Sequence, residues 1–476
     1  MDRRAGSLMN ITVQVMIQTD TDEPETIVEV ISLQREELNE ATLGLTLQES
    51  KDLLQALQET MVNHQVEAHL KQQACCLYCG RPYALKGHNL LVIRTVFGKL
   101  TLDSPRFYRC PCQTVGPQSF SPLAALFPER TTPELFYLQT KWAALMSYGL
   151  TTSLLNDVLP VDLNPSSVRQ QMAQAAIRLE AGLGDEQPGF IEGCPREWSR
   201  LPIPDAPLTV GLDGGYVQAR DGYQRKAGTF EIIAGKSMSP DVPAKCFALV
   251  NGYDVKPRRR LFETLKSQGL QMNQTVIFLS DGGDTVRDLQ FYLSPQSEHL
   301  LDWFHITMRI TVMQQMVKGL SLPAMLGTFE VNPAHELDRI KWFLWHGNVF
   351  KTLQAIQFLE GDLEALDADD PFPNIAKLLR TLHEFYSYIR TNSDFIPNYG
   401  DRYRYGETIS TAFVESTVNQ VISKRFVKKQ QMRWTRRGAH LLLQVRTQVL
   451  NGDWRSKVAE WHPGMQGEPD IEAAAA

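Results

Sequence analysis

No apolar run in the 476-residue chain approaches the roughly eighteen residues that a membrane-spanning helix requires. The first residues, Met1-Asp-Arg-Arg-Ala-Gly-Ser7, lack the apolar segment of a secretory leader. Cysteine is scarce, seven in all and so an odd number, and four sit in two short-spaced pairs. That pattern argues against a disulfide scaffold and for metal ligation in a reducing compartment. Neither sign of charge dominates: 48 bases against 54 acids leave a net charge of −6, a weak argument against nucleic acid. The average hides an asymmetry. Residues 1–60 hold twelve acids and four bases, whereas residues 421–437 hold seven bases and no acid. A local basic face binds phosphates whatever the whole-chain charge. The expectation is a cytoplasmic, multidomain protein with no membrane partner.

Residues 1–72 read as two alternating strands, one starting at Ile11 and one at Thr26, and then a helix from Thr46 to Leu70. Thr46 and Glu49 form a capping box, and Leu53, Leu54, Leu57, Met61 and Val62 form the apolar stripe. Residues 73–118 carry Cys76-x-x-Cys79, a hairpin with Gly98-Lys99 at its turn, and Cys110-x-Cys112. Four thiolates so spaced are the pattern of a zinc ribbon, and the zinc is structural because no open coordination position is implied. Cys75 is the spare, although the adjacent Cys75-Cys76 leaves open which of the two ligates.

Residues 119–190 are helical text punctuated by prolines, with helices at Pro133–Met146, Thr151–Leu159 and Asn164–Arg178. A short helix, a turn and a capped helix rich in Ser, Arg and Gln suit either a helix-turn-helix DNA reader or a hairpin that only packs. Gly184 to Pro207 reads as a linker.

Two stretches share one construction. Leu208-Thr-Val-Gly-Leu-Asp-Gly-Gly215 and Thr275-Val-Ile-Phe-Leu-Ser-Asp-Gly-Gly-Asp284 each run a buried strand into an acid, Asp213 and Asp281, followed by two glycines. Asp284 reads as the N-cap of a following helix to Tyr292. Between the two stretches lie strands at Gly228–Ala234 and Ala244–Val250 and a helix at Arg258–Gln268; Glu298–Phe304 supplies a fifth strand. Three meandering strands, a helix, then alternating strands and helices is the order of a ribonuclease-H-like fold, which sets strands one and four side by side. Open α/β sheets keep their chemistry at such strand ends. The first part of this core covers residues 205–305 and the second 406–455, with a helical insertion at 306–405 and a tail at 456–476. Within the insertion, Glu360–Asp370 carries six acids and reads as an exposed connection. From Thr411 a helix runs on through Phe426; on it Glu415 is either a salt-bridge partner or the third acid of the site.

These blocks resemble the DDE transposases of bacterial insertion sequences. The residues that carry the likeness are Gly211-Leu-Asp-Gly-Gly215, Leu279-Ser-Asp-Gly-Gly-Asp284, Leu301-Asp-Trp-Phe-His305, Phe413-Val-Glu-Ser-Thr-Val-Asn419 and Gln431-Met-Arg-Trp-Thr-Arg-Arg-Gly-Ala-His440. The Asp302-x-x-His305 element is similar to one found also in mutator-like transposases. Relatives often carry Gly-Ser-Gly before the Val-Glu pair, where this chain reads Ser410-Thr-Ala-Phe413. The resemblance implies a five-stranded mixed sheet split by an all-α insertion, with a zinc ribbon and a helical DNA-binding domain before it. It implies Asp213, Asp281 and Glu415 as the metal-binding triad, and Asp302 and His305 as residues acting beside it. The implied activity is cleavage at transposon ends and joining of the 3′-ends to target DNA. The chemistry agrees with that expectation. Three carboxylates on one edge repel unless cations neutralise them, and all-oxygen ligands select Mg²⁺ or Mn²⁺. Two such ions roughly 3.5–4 Å apart serve an in-line displacement. Lys424, Arg425, Lys428, Lys429, Arg433, Arg436 and Arg437 would hold DNA phosphates, while Trp434 stacks on a base or simply packs. Pairing two DNA ends implies a homodimer or larger assembly, and double-stranded DNA as partner implies association with the nucleoid.

Overall fold

The computed structural model describes residues 9–18, 25–35, 38–187, 195–202, 207–220, 228–239, 242–283, 297–320, 332–369, 373–427 and 432–465. Asp284 and the helix expected after it lie outside these residues, as do Gln431, Lys428 and Lys429. The chain is mixed α/β and forms two compact units. One comprises Met1–Ala175 with Asp453–Ala476, the other Ala176–Gly452.

In the first unit, β1 (Met9–Ile17) pairs antiparallel with β2 (Thr26–Arg35), and α1 follows over Leu47–Gln72. The capping box at Thr46 and Glu49 is formed. Arg35 donates to both Glu49 carboxylate oxygens, at 2.7 and 2.8 Å, and holds that carboxyl down to about 2. A depressed acid contributes stability above its ordinary value of 4.5 and loses it as pH falls towards 2. Acid-side melting should therefore decline less steeply between those pH values in Glu49→Gln than in wild type. A parallel decline would show that the pair does not stabilise the fold.

The apolar stripe of α1 sits lower than its spacing suggested. Leu54 and Met61 are exposed, and Val62, Val66 and Leu70 make the packing. They lie against Leu91, Ile93, Leu100 and Leu102 of β3 (Leu85–Thr95) and β4 (Gly98–Tyr108), which pair antiparallel. The hairpin turn falls on Val96-Phe97, not Gly98-Lys99, because Thr95 and Gly98 are already a cross-strand pair. A two-residue β5 (Ser119–Phe120) adds to β4, and α2 (Pro122–Leu126) follows. Helices α3 (Pro133–Leu145), α4 (Tyr148–Val158) and α5 (Pro165–Gly182) come next, α5 running across the division between units. The stretch expected as a tail instead carries a helix over Trp454–Trp461. It belongs to this unit: buried Trp454 donates to Thr140 at 3.0 Å, and Arg455 pairs with Glu134 at 2.8 Å.

The second unit begins within α5, and a short helix, α6 (Pro195–Trp198), follows inside the stretch expected as linker. Its centre is a mixed five-stranded sheet of β6 (Leu208–Gln218), β7 (Thr229–Met238), β8 (Lys245–Val250), β9 (Val276–Ser280) and β10 (Glu298–Leu301). The spatial order is β10-β9-β6-β7-β8. β6 is parallel to β9 and β9 to β10, whereas β6–β7 and β7–β8 are antiparallel. Strand side chains alternate between faces, and the buried clusters follow that parity. Leu208, Val210 and Leu212 of β6 and Val276 and Phe278 of β9 pack on one face against α7 (Pro257–Lys266). Ile277, Leu279 and Leu300 pack on the other face with Phe413.

β10 is shorter than expected, because Asp302 ends it and caps α8 (Trp303–Lys318). Three further helices, α9 (Pro333–Trp345), α10 (Val349–Asp369) and α11 (Pro373–Thr391), build a separate apolar core with α8. The acidic stretch from Glu360 continues α10 and is not a connection; Leu359 and Leu363 carry its buried stripe through the acids. After α12 (Tyr399–Arg404) comes α13 (Ala412–Val418), which turns into a π-helix over Asn419–Val427. α14 (Arg436–Leu450) packs beside β8. The wider π turns leave carbonyls that Arg446 of α14 satisfies, its Nε donating to Val421 O at 2.9 Å and its Nη2 to Gln420 O.

Candidate functional site

Asp213 does not end its strand; β7 keeps β6 paired as far as Gln218. It is β9 that stops. The last parallel pair is Gly211↔Leu279, so Asp213 and Asp281 each stand two residues beyond one couple, on the same parity as Gly211 and Leu279. α13 crosses that face. A Cβ on Gly211 would lie 2.1 Å from Val414 Cγ2, and one on Gly215 would lie 2.9 Å from Ile422 Cδ1. Both glycines are thus required by close approach of the α13–π segment. Its first turn carries Glu415, which is exposed and, among the described residues, has no ion-pair partner.

Each of these acids accepts a bond from a backbone N–H that follows it closely in the chain. Gly214 N–H donates to Asp213 at 2.8 Å, and Gly283 N–H to Asp281 at 3.0 Å. Burial raises the Asp213 carboxyl above the usual carboxylate value, and the negative charges of Asp281 and Glu415 add to it; Gly214 N–H and His305 act the other way. The donor oxygens of the three acids do not all lie within 4.8 Å of one another, the spread suited to one ion. A two-ion site makes no such demand, since each ion takes only some of the acids.

Asp302 is not placed to meet a substrate. It is fully buried, and its carboxylate is saturated. Phe304 N–H and Thr411 N–H each donate to Oδ1 at 2.9 Å, Thr411 Oγ1 donates to Oδ2, and His305 Nδ1 lies 2.7 Å from Oδ2. It is a brace that ties the end of β10 to the residue preceding α13 and orients His305. That hydrogen bond raises the His305 pKa, with the charges of Asp302, Asp213 and Asp281 adding and desolvation opposing. Thr411→Val leaves this buried charge short of one donor. It should cost about 1.5–3 kcal/mol, as for hydrogen bonds to charged groups, read as a lowered denaturation midpoint.

No protein-family model and no curated protein sequence matches this chain.

The insertion adds two side chains that sequence reasoning missed. Arg309, one turn after His305 on α8, stacks its guanidinium 4.2 Å from the Tyr388 ring on α11. Burial, with the charges of Asp281 and Asp302, lifts the Tyr388 phenol above its ordinary range, against the effect of Arg309. A Cβ on Gly282 would fall 2.5 Å from Asn392 Oδ1, so the insertion lies directly on the loop that carries Asp281. The i, i+4 spacing of His305 and Arg309 was the available signal.

The basic stretch divides. Lys424, Arg433, Arg436 and Arg437 are exposed. Arg425 and Trp434 are buried and do not face a ligand: the guanidinium lies 5.2 Å from the indole, which also packs on Phe426 at 4.8 Å. Trp434 is held there by backbone bonding to β6, its N–H donating to Gln218 O at 2.9 Å. Packing, not base stacking, is its role.

In the first unit Cys76, Cys79, Cys110 and Cys112 converge, and Cys75 stays outside on the surface. Neighbouring sulfurs are 3.4, 3.5 and 3.6 Å apart, far beyond a disulfide and near the roughly 3.8 Å edge of a tetrahedron with 2.3 Å metal–sulfur bonds. Tyr78 and Cys79 N–H groups hold the Cys76 thiol down to about 6, while hydrogen bonding to Cys110 and the other crowded sulfurs pushes Cys112 up to about 12. Four thiols therefore cannot all ionise without a cation, and the donor set fits one.

A second tight group, Glu180, Asp254 and His440, already encloses a positive charge. Arg260 donates to Asp254 at 2.8 Å, Glu180 at 2.9 Å and Gln444 at 2.6 Å, so the cluster is an ion network among helices and is assigned no metal. No described helix is long and apolar enough to cross a membrane.

Proposed function

We propose that the Ala176–Gly452 unit is the catalytic part of a DDE transposase on a ribonuclease-H-like fold, acting on double-stranded DNA. The observation that carries this reading is the parallel register of Gly211 with Leu279, which sets Asp213 and Asp281 side by side beneath the helix bearing Glu415. The strand order and the helical interruption after β10 also support it. Asp213, Asp281 and Glu415 would hold two Mg²⁺ or Mn²⁺ ions. When bound, the ions supply charge neutralisation and Lewis acidity at a scissile phosphate. His305, kept towards its protonated form by Asp302, is a donor for phosphate oxygens beside the acids. Exposed Lys424, Arg433, Arg436 and Arg437 hold the DNA backbone, with Arg309 adding charge from the insertion. The cysteine cluster holds a structural zinc.

The test is a Mg²⁺-dependent reaction on a plasmid bearing the element's ends. Nicked ends joined to a second plasmid are expected. Cleavage without joint molecules would make the protein a nuclease of the same fold. Folded, zinc-loaded protein that binds the ends but cuts nothing with either metal would make it a DNA-binding protein only. Crosslinking on DNA is expected to capture a homodimer or larger assembly.

A further inference from the structure

Beside the β3–β4–β5 sheet, well away in sequence from the acids, lies a cavity of about 250 Å³. Its polar lining is Asn89, Ser104, Arg106, Ser119, Ser121 and Arg130, and among the described residues no carboxylate lines it. Ser119 Oγ accepts from Arg106 Nη2 at 3.2 Å and from Lys86 Nζ at 3.1 Å, so one neutral oxygen holds two cations together. Among the described residues no acid pairs with Lys86, Arg106 or Arg130. Arg106 and Arg130 thus line the cavity with no carboxylate in its lining, and Lys86, whose ammonium also lies 5.4 Å from the Tyr108 ring, reaches its edge through Ser119. Ser104 and Ser121 hydroxyls meet 2.6 Å apart and add donors of adjustable direction.

Arg130 adds an independent observation. At φ 53° it is the one non-glycine residue in the left-handed region among the described residues. It is kept there by pairing with the edge of β3: Arg94 N–H donates to Arg130 O, and Thr132 N–H to Arg94 O, both at 2.9 Å. Glycine adopts that conformation freely, whereas an L side chain does so at a cost. A strained arginine at a cavity with unpaired positive charge points to a ligand.

We infer that this cavity binds a phosphate group, gripped by the guanidinium forks of Arg106 and Arg130 with Lys86 and the serine hydroxyls completing it. The phosphate chemistry stands on these residues alone. Assigning the phosphate to a DNA backbone, as distinct from a free anion, rests on the transposase reading.

The experiment uses the full, zinc-loaded chain as wild type, Arg106→Gln, Arg130→Gly and the double variant. Melting is followed with inorganic phosphate against chloride at matched ionic strength, and binding of a random duplex by anisotropy across a salt series. Phosphate is expected to raise the wild-type Tm and not that of the double variant. Arg130→Gly should melt no lower than wild type without phosphate, because it relieves the left-handed backbone. In the double variant the duplex Kd should rise several-fold and the salt slope fall by roughly two. Loss of the phosphate effect with unchanged duplex binding keeps the site and gives it to a free anion. An Arg130→Gly chain that melts lower without phosphate makes that residue structural and overturns the inference. So does a wild type whose Tm ignores phosphate and whose duplex affinity ignores the substitutions. Because neither readout involves cleavage, failure here is separable from failure of the catalytic reading.

Discussion

Asp281→Ala is expected to abolish metal-dependent cleavage while leaving the fold at least as stable as wild type. Asp281 is exposed, and its local bond is a single one from Gly283 N–H, so little native structure depends on it. Its negative charge also works against Asp213, whose carboxyl is already raised by burial. Removing one of the like charges relieves that conflict, which makes an unchanged or slightly higher Tm the prediction. Activity must go the other way. Losing a group that only supports a metal ligand typically costs about 10–100-fold in metal affinity or activity, and loss of a ligand itself should exceed that range. Thr411→Val, which disturbs the brace at Asp302, provides the contrast: lower stability and a smaller loss of rate. Cleavage by Asp281→Ala within tenfold of wild type, in Mg²⁺ or Mn²⁺, would falsify the assignment of this acid as a ligand.

What could be read in advance was whatever local pattern determines. Alternating and β-branched runs located the five core strands, and the glycines after each acid flagged Asp213 and Asp281. Parallel pairing of strands one and four then follows from topology. What escaped depends on distant partners. Asp302 looked like part of a strand because its neighbours are apolar; its bracing role needs Thr411, 109 residues away, to be visible. The acids from Glu360 resembled a loop, yet Leu359 and Leu363 find apolar partners in α8, α9 and α11, and helix wins. Arg425 and Trp434 matched a DNA-binding face in composition, but the bridge of Trp434 to Ala219 turns both inward. The π segment depends on buried Arg446, whose desolvation depresses its pKa to about 10 and which no local rule links to Val421. The register that sets the two strand acids side by side was thus more legible than the contacts that brace them.

Cys79→Ser, or stripping with a strong chelator, is expected to unfold the sulfur-bearing segments of the first unit, the other large effect. Structural zinc contributes an apparent 10–16 kcal/mol in isolated finger peptides near pH 7, more than most domains hold in total. Here the segments around Cys76–Cys79 and Cys110–Cys112 are otherwise tied by local backbone bonds and by the packed rings of Tyr83, Phe107 and Phe120, not by the main apolar cluster. Cys76 and Cys110 are buried, Leu77 and Tyr78 are exposed, and the apolar cluster of Leu91, Ile93, Leu100, Leu102 and Leu123 lies further along the hairpin. The loss should therefore appear first as protease cutting near residues 74–83 and 109–118, with the helices that follow surviving longer. Wild type should carry one zinc per chain by elemental analysis, and Cys79→Ser none. Cys75 separates this account from a general need for thiols: its sulfur is outside the cluster, so Cys75→Ser should keep its zinc and its Tm. A Cys75→Ser chain without metal, or a Cys79→Ser chain that retains it, would mean that the four-sulfur geometry is not the zinc site.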